Sequence, residues 1–176
     1  MDASEPSPER RTQKQKRPVA RWVAFVAGCV LCAGCVWAIF LPHETKTSQP
    51  VTLDHAGGCP IPLPPTAHSI QFYERSQFNF FSEFVRFEAP VDDCIEHVQS
   101  VRAAWGKEVD YLRDRFGPLR SLAEPPPART IAQERGVTWF DPQNIREGLA
   151  AGGGGSGIPM IWVDTERGVF YYELSD

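Results

Sequence analysis

The chain has 176 residues, with 18 basic and 22 acidic side chains, which gives a formal net charge of −4. Residues 1–21 carry six cations and three acids, a sum of +3, and the remainder therefore carries −7. This acidic main part argues against a nucleic-acid-binding protein, because such proteins present a basic surface to the phosphates.

The longest apolar stretch runs from Trp22 to Leu41 and contains no charged residue, proline or amide side chain. A helix of about 20 residues rises roughly 30 Å, which matches the hydrocarbon core of a bilayer. The positive-inside rule places the basic tail of residues 1–21 in the cytoplasm and residues 42–176 outside. These features predict a single-pass membrane protein that carries an extracytoplasmic domain.

Two alternatives for this stretch stay open. A cleaved signal peptide would have a shorter apolar core, of roughly 7–15 residues. The tetrad VAGC at 26–29 resembles a bacterial lipobox, which would make Cys29 the acylated residue of a lipoprotein. A lipoprotein usually continues with a polar linker, whereas here the apolar run extends to Leu41.

Small residues recur every four positions in the same stretch, at Ala24, Gly28 and Cys32. They share one face of the predicted helix, and such faces allow close helix packing. This face is a candidate for self-association.

Two cysteines, Cys59 and Cys94, lie outside the apolar stretch. In an oxidising compartment they could form a disulfide that closes a loop of about 35 residues and stabilises the fold by roughly 3–4 kcal/mol. A buried, free Cys94 is the alternative.

A proline-rich segment follows at 42–65 and is predicted to be an extended linker. Beyond it, residues 66–176 form the folded domain. Alternating apolar residues and β-rich runs predict about five strands. These strands lie at 69–74, 83–88, 137–140, 158–163 and 169–174. The first two and the last two have the spacing of hairpins.

Helical structure is predicted over 91–116, as one long helix or as two with a break at Gly106, because its apolar residues follow the 3, 4, 7 spacing of one face. Asp141 and Pro142 predict the start of a shorter helix that ends at Gly148. The fold class is therefore α+β: one N-terminal transmembrane helix, then a small antiparallel sheet of about five strands with a long helix packed on one face.

Four motifs of the domain occur in the order IPLPP, EFVRFEAP, WFDP and IWVDTERGVFYYEL. This order is similar to a group of uncharacterised small membrane-anchored or exported proteins of planctomycete-type bacteria. The resemblance covers most of residues 61–176. It implies an envelope localisation, and it carries no assigned activity or site.

One pair of residues could carry chemistry. Cys94 and His97 are three residues apart on the predicted helix, so they are neighbours and could form a thiolate dyad. Core packing is the alternative, because Cys94 lies on the apolar face.

Other patterns predict no cofactor and no metal site. Gly152, Gly154 and Gly157 match GxGxxG, but here a helix precedes and a strand follows, the reverse of a dinucleotide site. The residues from Asp54 to His68 lack the paired short spacing of structural zinc sites.

The chain is therefore predicted to be a non-enzymatic binding module of the cell envelope, which binds a protein partner or itself. The alternative is an envelope hydrolase or thiol enzyme that uses Cys94 and His97.

Overall fold

The computed structural model describes residues 16–77, 80–108, 116–123, 126, 131–153 and 157–176. The chain divides into two compact units after Leu41. The first unit contains helix α1, Lys16–Phe40. Large apolar side chains of α1, among them Trp22, Phe25 and Leu31, are exposed.

Within the described residues, no helix is both long and apolar enough to cross a membrane. This finding contradicts the transmembrane helix predicted at 22–41, and with it the predicted single-pass membrane localisation. Spanning a bilayer takes about 20 apolar residues in succession.

The second unit is built on one antiparallel sheet of seven strands, in the order β1-β2-β3-β7-β6-β5-β4. The strands are β1 His43–Lys46, β2 His68–Gln77, β3 Phe80–Glu88, β4 Arg120–Ser121, β5 Gly148–Gly152, β6 Met160–Asp164 and β7 Val169–Ser175. The prediction of about five strands is therefore wrong. Segment 137–140, predicted as a strand, is a turn whose Phe140 is buried.

The two predicted hairpins form the middle of the sheet. β2 pairs with β3, and β6 pairs with β7, both antiparallel. β3 then pairs with β7, which joins the two hairpins side by side. Strands β2 and β3 continue into residues 75–82, the connection between the two predicted strands that was expected to be a loop, where Ser76 pairs with Phe81 and Gln77 with Phe80.

Helix α2 spans Val91–Glu108. Its predicted continuation over 109–115 lies outside the described residues. Three further helical segments of the described residues are short: a 3₁₀ turn, Leu53–His55, the helix α3, Ile131–Glu134, and a second 3₁₀ turn, Pro142–Asn144. That turn stands where the second helix was predicted, and Gly148 begins strand β5 instead of ending a helix.

Successive strand side chains point to opposite faces, so the sheet carries two apolar cores. The first core contains Val85, Phe87 and Tyr172, and residues of α2 pack against it. The second contains Phe84 and Tyr171, with Phe140 packed against them.

The segment predicted as an extended linker also lies against the sheet. Thr47 exchanges hydrogen bonds with Phe72 of β2, and Val51 does so with Ile70. Further along, Ile61 is buried in the first core. Proline lacks an N–H donor and so cannot extend the sheet, but the side chains between the prolines can still pack on it. Residues 60–66 are called the strap below.

Candidate functional site

A groove of about 1080 Å³ lies between the strap, helix α2 and one face of strands β3 and β7. Its apolar walls include Leu63, Phe81, Val101, Trp105, Tyr172 and Leu174. Its ionisable lining residues are Glu83, Asp93, Glu96, His97 and Tyr172.

Helix and strand periodicity explain why these side chains converge. On α2, Asp93, His97 and Ser100 are spaced by three or four residues, so they lie along one helix face. On the sheet, Glu83 of β3 lies opposite Leu174 of β7. Tyr172 lies two residues away on the same strand, so it points to the same side.

Three polar side chains meet in the groove. The Trp105 indole, which can only donate, and the Glu83 carboxylate both interact with the Tyr172 hydroxyl. The groove therefore brings together one polar group each from α2, β7 and β3.

Burial governs the protonation of these groups. Burial, with a smaller contribution from the neighbouring Glu74 carboxylate, raises the pKa of Glu83 to about 7, and the Tyr172 hydroxyl opposes this rise. Burial also raises the pKa of the Tyr172 hydroxyl well above its usual range, and Glu83 adds to this effect. At neutral pH Glu83 is thus close to half ionised, and Tyr172 is neutral.

His97 lines the groove and is largely buried, with 7% of its surface exposed. Its ring packs edge-on against Phe87 and Phe170, at centroid distances of 5.5 Å and 5.1 Å. Burial lowers the pKa of His97 to about 4, so the imidazole is neutral at pH 7. Among the described residues, its Nε2 has no hydrogen-bond partner.

The predicted Cys94–His97 dyad is not arranged for thiol catalysis. The Cys94 thiol is fully buried and points to the carbonyl oxygens of Ala89 and Gly168, at 3.7 Å and 4.0 Å. Burial raises the pKa of Cys94 to about 11, and Asp93 adds to the rise. Only about one thiol in ten thousand would then be ionised at pH 7, whereas the thiolate is the nucleophile.

Cys59 lies beside the strap and packs against the first core. Burial raises its pKa to about 11, and Glu83 contributes. Both Cys59 and Cys94 are free thiols in the structure. Their disulfide stays a prediction.

The candidate packing face of α1 is exposed in the structure: Ala24, Gly28 and Cys32 all face solvent. A Cβ added at Gly28 would meet nothing within 4 Å. Self-association through this face and acylation of the exposed Cys29 stay predictions.

The remaining predicted motifs are not assembled into a site. Gly152 ends β5 with a φ of +131°, Gly157 has a φ of +71°, and Gly154 lies outside the described residues. Within the described ranges, no group of three His, Cys, Asp or Glu residues could hold a metal ion.

The sequence interpretation missed Glu83 and Tyr172. The sequence contained one indication for Glu83, because its side chain points to the same side of β3 as the apolar Val85 and Phe87. A charged residue among the apolar positions of an alternating strand indicates either the edge of a core or a functional group. The proximity of Tyr172 depends on the β3–β7 register, which local patterns do not encode.

The raised pKa of Glu83 predicts how stability changes with pH. The folded protein keeps this proton up to about pH 7, whereas the ordinary value is 4.5. Since the folded state holds more protons in this window, its stability falls as the pH rises from 4.5 to 7. Glu83→Gln removes this titration. After a discount for partial exposure, we expect the variant to gain about 1–2 kcal/mol over the unmodified protein between pH 5 and pH 8.

Urea unfolding of both proteins at the two pH values measures this gain. The titration of His97 has the opposite sign, but it is present in both proteins and cancels in the comparison. An equal difference in the free energy of unfolding at both pH values would show that Glu83 is not held in its protonated form.

Comparison with protein-family models, curated proteins and solved structures gave no significant match. The resemblance to the planctomycete-type proteins therefore stays a prediction, and function is argued from the geometry of the groove.

Proposed function

We propose that residues 42–176 form a protein-binding module that holds a short peptide segment of a partner in the groove. The lining of the groove is the main support for this proposal, because it combines apolar and aromatic walls with a few polar groups. Ligand sites have this composition and occupy about 300–1,000 Å³. The volume of the groove, about 1080 Å³, lies just above that range.

The aromatic lining supports a peptide ligand. Trp105 and Phe81 are only partly buried, and both line the groove. Aromatic side chains dominate binding energy at protein interfaces because they offer a large rigid surface with a polar edge. The Trp105 indole also interacts with the Tyr172 hydroxyl.

The altered pKa values of residues in and near the groove also support it as the functional site. Three lining residues, Glu83, His97 and Tyr172, have strongly altered pKa values, and the nearby Cys59 does too. Such groups concentrate at functional sites because burial and close charge pairs are arranged there. The high pKa of Cys94 argues against the thiol-enzyme alternative.

Trp105→Ala tests the proposal. We expect it to weaken the binding of blocked tripeptides with a central leucine, phenylalanine or tryptophan by about tenfold, because it removes an interface anchor. Trp139→Ala is the matched control, since Trp139 is also partly buried but packs against the second core on the opposite face. Affinities are measured by NMR titration of the full chain.

An equal loss of affinity in both variants would overturn the proposal, as would the absence of binding by every peptide of the panel. Sedimentation at several protein concentrations tests whether a second copy of this chain occupies the groove instead. A dimer that Trp105→Ala dissociates would place a second copy, and not a partner protein, in the groove.

A further inference from the structure

We propose that the segment bound in the groove carries a cationic side chain, lysine or arginine, which pairs with Glu83 between Trp105 and Tyr172. This inference rests on the proposed function, because it assumes that the groove binds a peptide. It adds the chemical class of the residue that the groove selects.

Charge complementarity is the first argument. The charged groups that line the groove are Glu83, Asp93 and Glu96. Among its described lining residues there is no lysine or arginine. A cationic ligand is therefore attracted to the groove, and an anionic one is repelled.

The environment of Glu83 is the second argument. Two carboxylates of the sheet have a cation beside them: Glu88 pairs with Arg86 at 2.8 Å, and Asp164 pairs with Arg167 at 2.6 Å. Glu83 instead meets Tyr172 and a second carboxylate, Glu74. A buried carboxylate is stabilised by a cation, which a ligand can supply.

The side chains around Glu83, which come from three neighbouring strands and helices, favour the binding of a cation. β2 contributes Glu74, β7 contributes Tyr172 and α2 contributes Trp105. Cys59, before the strap, is an uncharged thiol at neutral pH. The aromatic rings can also attract a cation directly through their π faces.

His97 provides an independent observation. It lines the groove, and its buried Nε2 lacks a partner among the residues described. The imidazole is neutral at pH 7, so it adds no positive charge that would repel a cation. Its nitrogen is available to hydrogen-bond with a polar group of the bound segment.

Blocked peptides that differ in one residue test the inference on the full chain. The probes are acetyl-leucyl-lysyl-leucine amide and its counterparts with norleucine or glutamate in place of lysine. At pH 8 we expect the lysine peptide to bind about tenfold more tightly than the norleucine peptide, and the glutamate peptide to bind most weakly. Glu83→Gln should remove the preference for lysine over norleucine.

Glu96→Gln is the matched control. Glu96 lines the same groove but is exposed, so water screens its charge and the preference should change by less than about threefold.

If Glu83→Gln fails to fold, the unmodified protein still decides the question. Its affinity for the lysine peptide should fall by about tenfold in total as the pH is lowered from 8 to 5, to the level of the norleucine peptide, whose own affinity stays constant.

The outcomes separate the two proposals. If norleucine and lysine peptides bind equally well, the cation inference is overturned and the groove remains a peptide site. If no probe binds, both proposals fail together.

Discussion

Replacement of Phe87 by alanine is expected to lower the free energy of unfolding by about 3–5 kcal/mol. Phe87 is fully buried in the first core, stacks on Phe170 at a centroid distance of 4.6 Å and supports the ring of His97. The substitution therefore leaves a cavity beneath the groove. Because whole domains are stable by only about 5–15 kcal/mol, this loss removes a large share of the total.

Phe80→Ala is the control for this substitution. Phe80 belongs to the same strand, but 65% of its surface is exposed. We expect its replacement to change stability by less than about 0.5 kcal/mol. Urea unfolding, followed by circular dichroism, measures both variants. Similar losses would contradict the assignment of Phe87 to the core.

Gly168→Ala has the second-largest expected effect, a loss of about 2–4 kcal/mol in the free energy of unfolding. Gly168 closes the β6–β7 hairpin with a φ of +65°, and an added Cβ would lie 2.4 Å from the carbonyl oxygen of Ala89. The Ala89 N–H also donates to the Gly168 oxygen, so this contact fixes the chain just before α2. The substitution should therefore disturb the helix that forms one wall of the groove.

Gly136→Ala separates the two causes of that loss. Gly136 has a similar φ of +74°, but a Cβ added there would meet nothing within 4 Å. We expect a loss of about 1 kcal/mol, from the backbone conformation alone. Thermal unfolding of both variants gives the comparison, and equal losses would mean that the contact with Ala89 has no role.

Local patterns predicted the parts of the fold that have a strong periodicity. Both central hairpins and the start of helix α2 at Val91 follow from alternation and from the 3, 4, 7 spacing. Strands β1 and β5 were not predicted, because their sequences, HETK and GLAAG, show no alternation of apolar and polar residues. Edge and small-residue strands of this kind form through backbone hydrogen bonds to a neighbour, which a single segment does not reveal.

The fold class was wrong for two separate reasons. The strand count omitted β1, β4 and β5, and the predicted transmembrane helix at 22–41 is not supported by the described residues. The segment 42–65 was predicted to be a linker from its prolines, yet the residues between them pack on the sheet.

The candidate site was harder to predict than the fold. The proximity of Cys94 and His97 follows from helix spacing, but their chemistry depends on burial, which only the tertiary structure shows. Glu83, Tyr172 and Trp105 come from distant parts of the chain. The sheet register and the position of α2 bring them together.

The central claim is that the groove between the strap, α2 and the β3–β7 face binds a peptide. Mapping of amide chemical shifts in the full chain, with the blocked lysine peptide as probe, tests it most directly. We predict shifts that concentrate at Ile61, Leu63 and Thr66 of the strap, along α2 from 93 to 105, and at Glu83 and Tyr172. Shifts confined to the opposite face around Trp139, or none at saturating peptide, would contradict the claim.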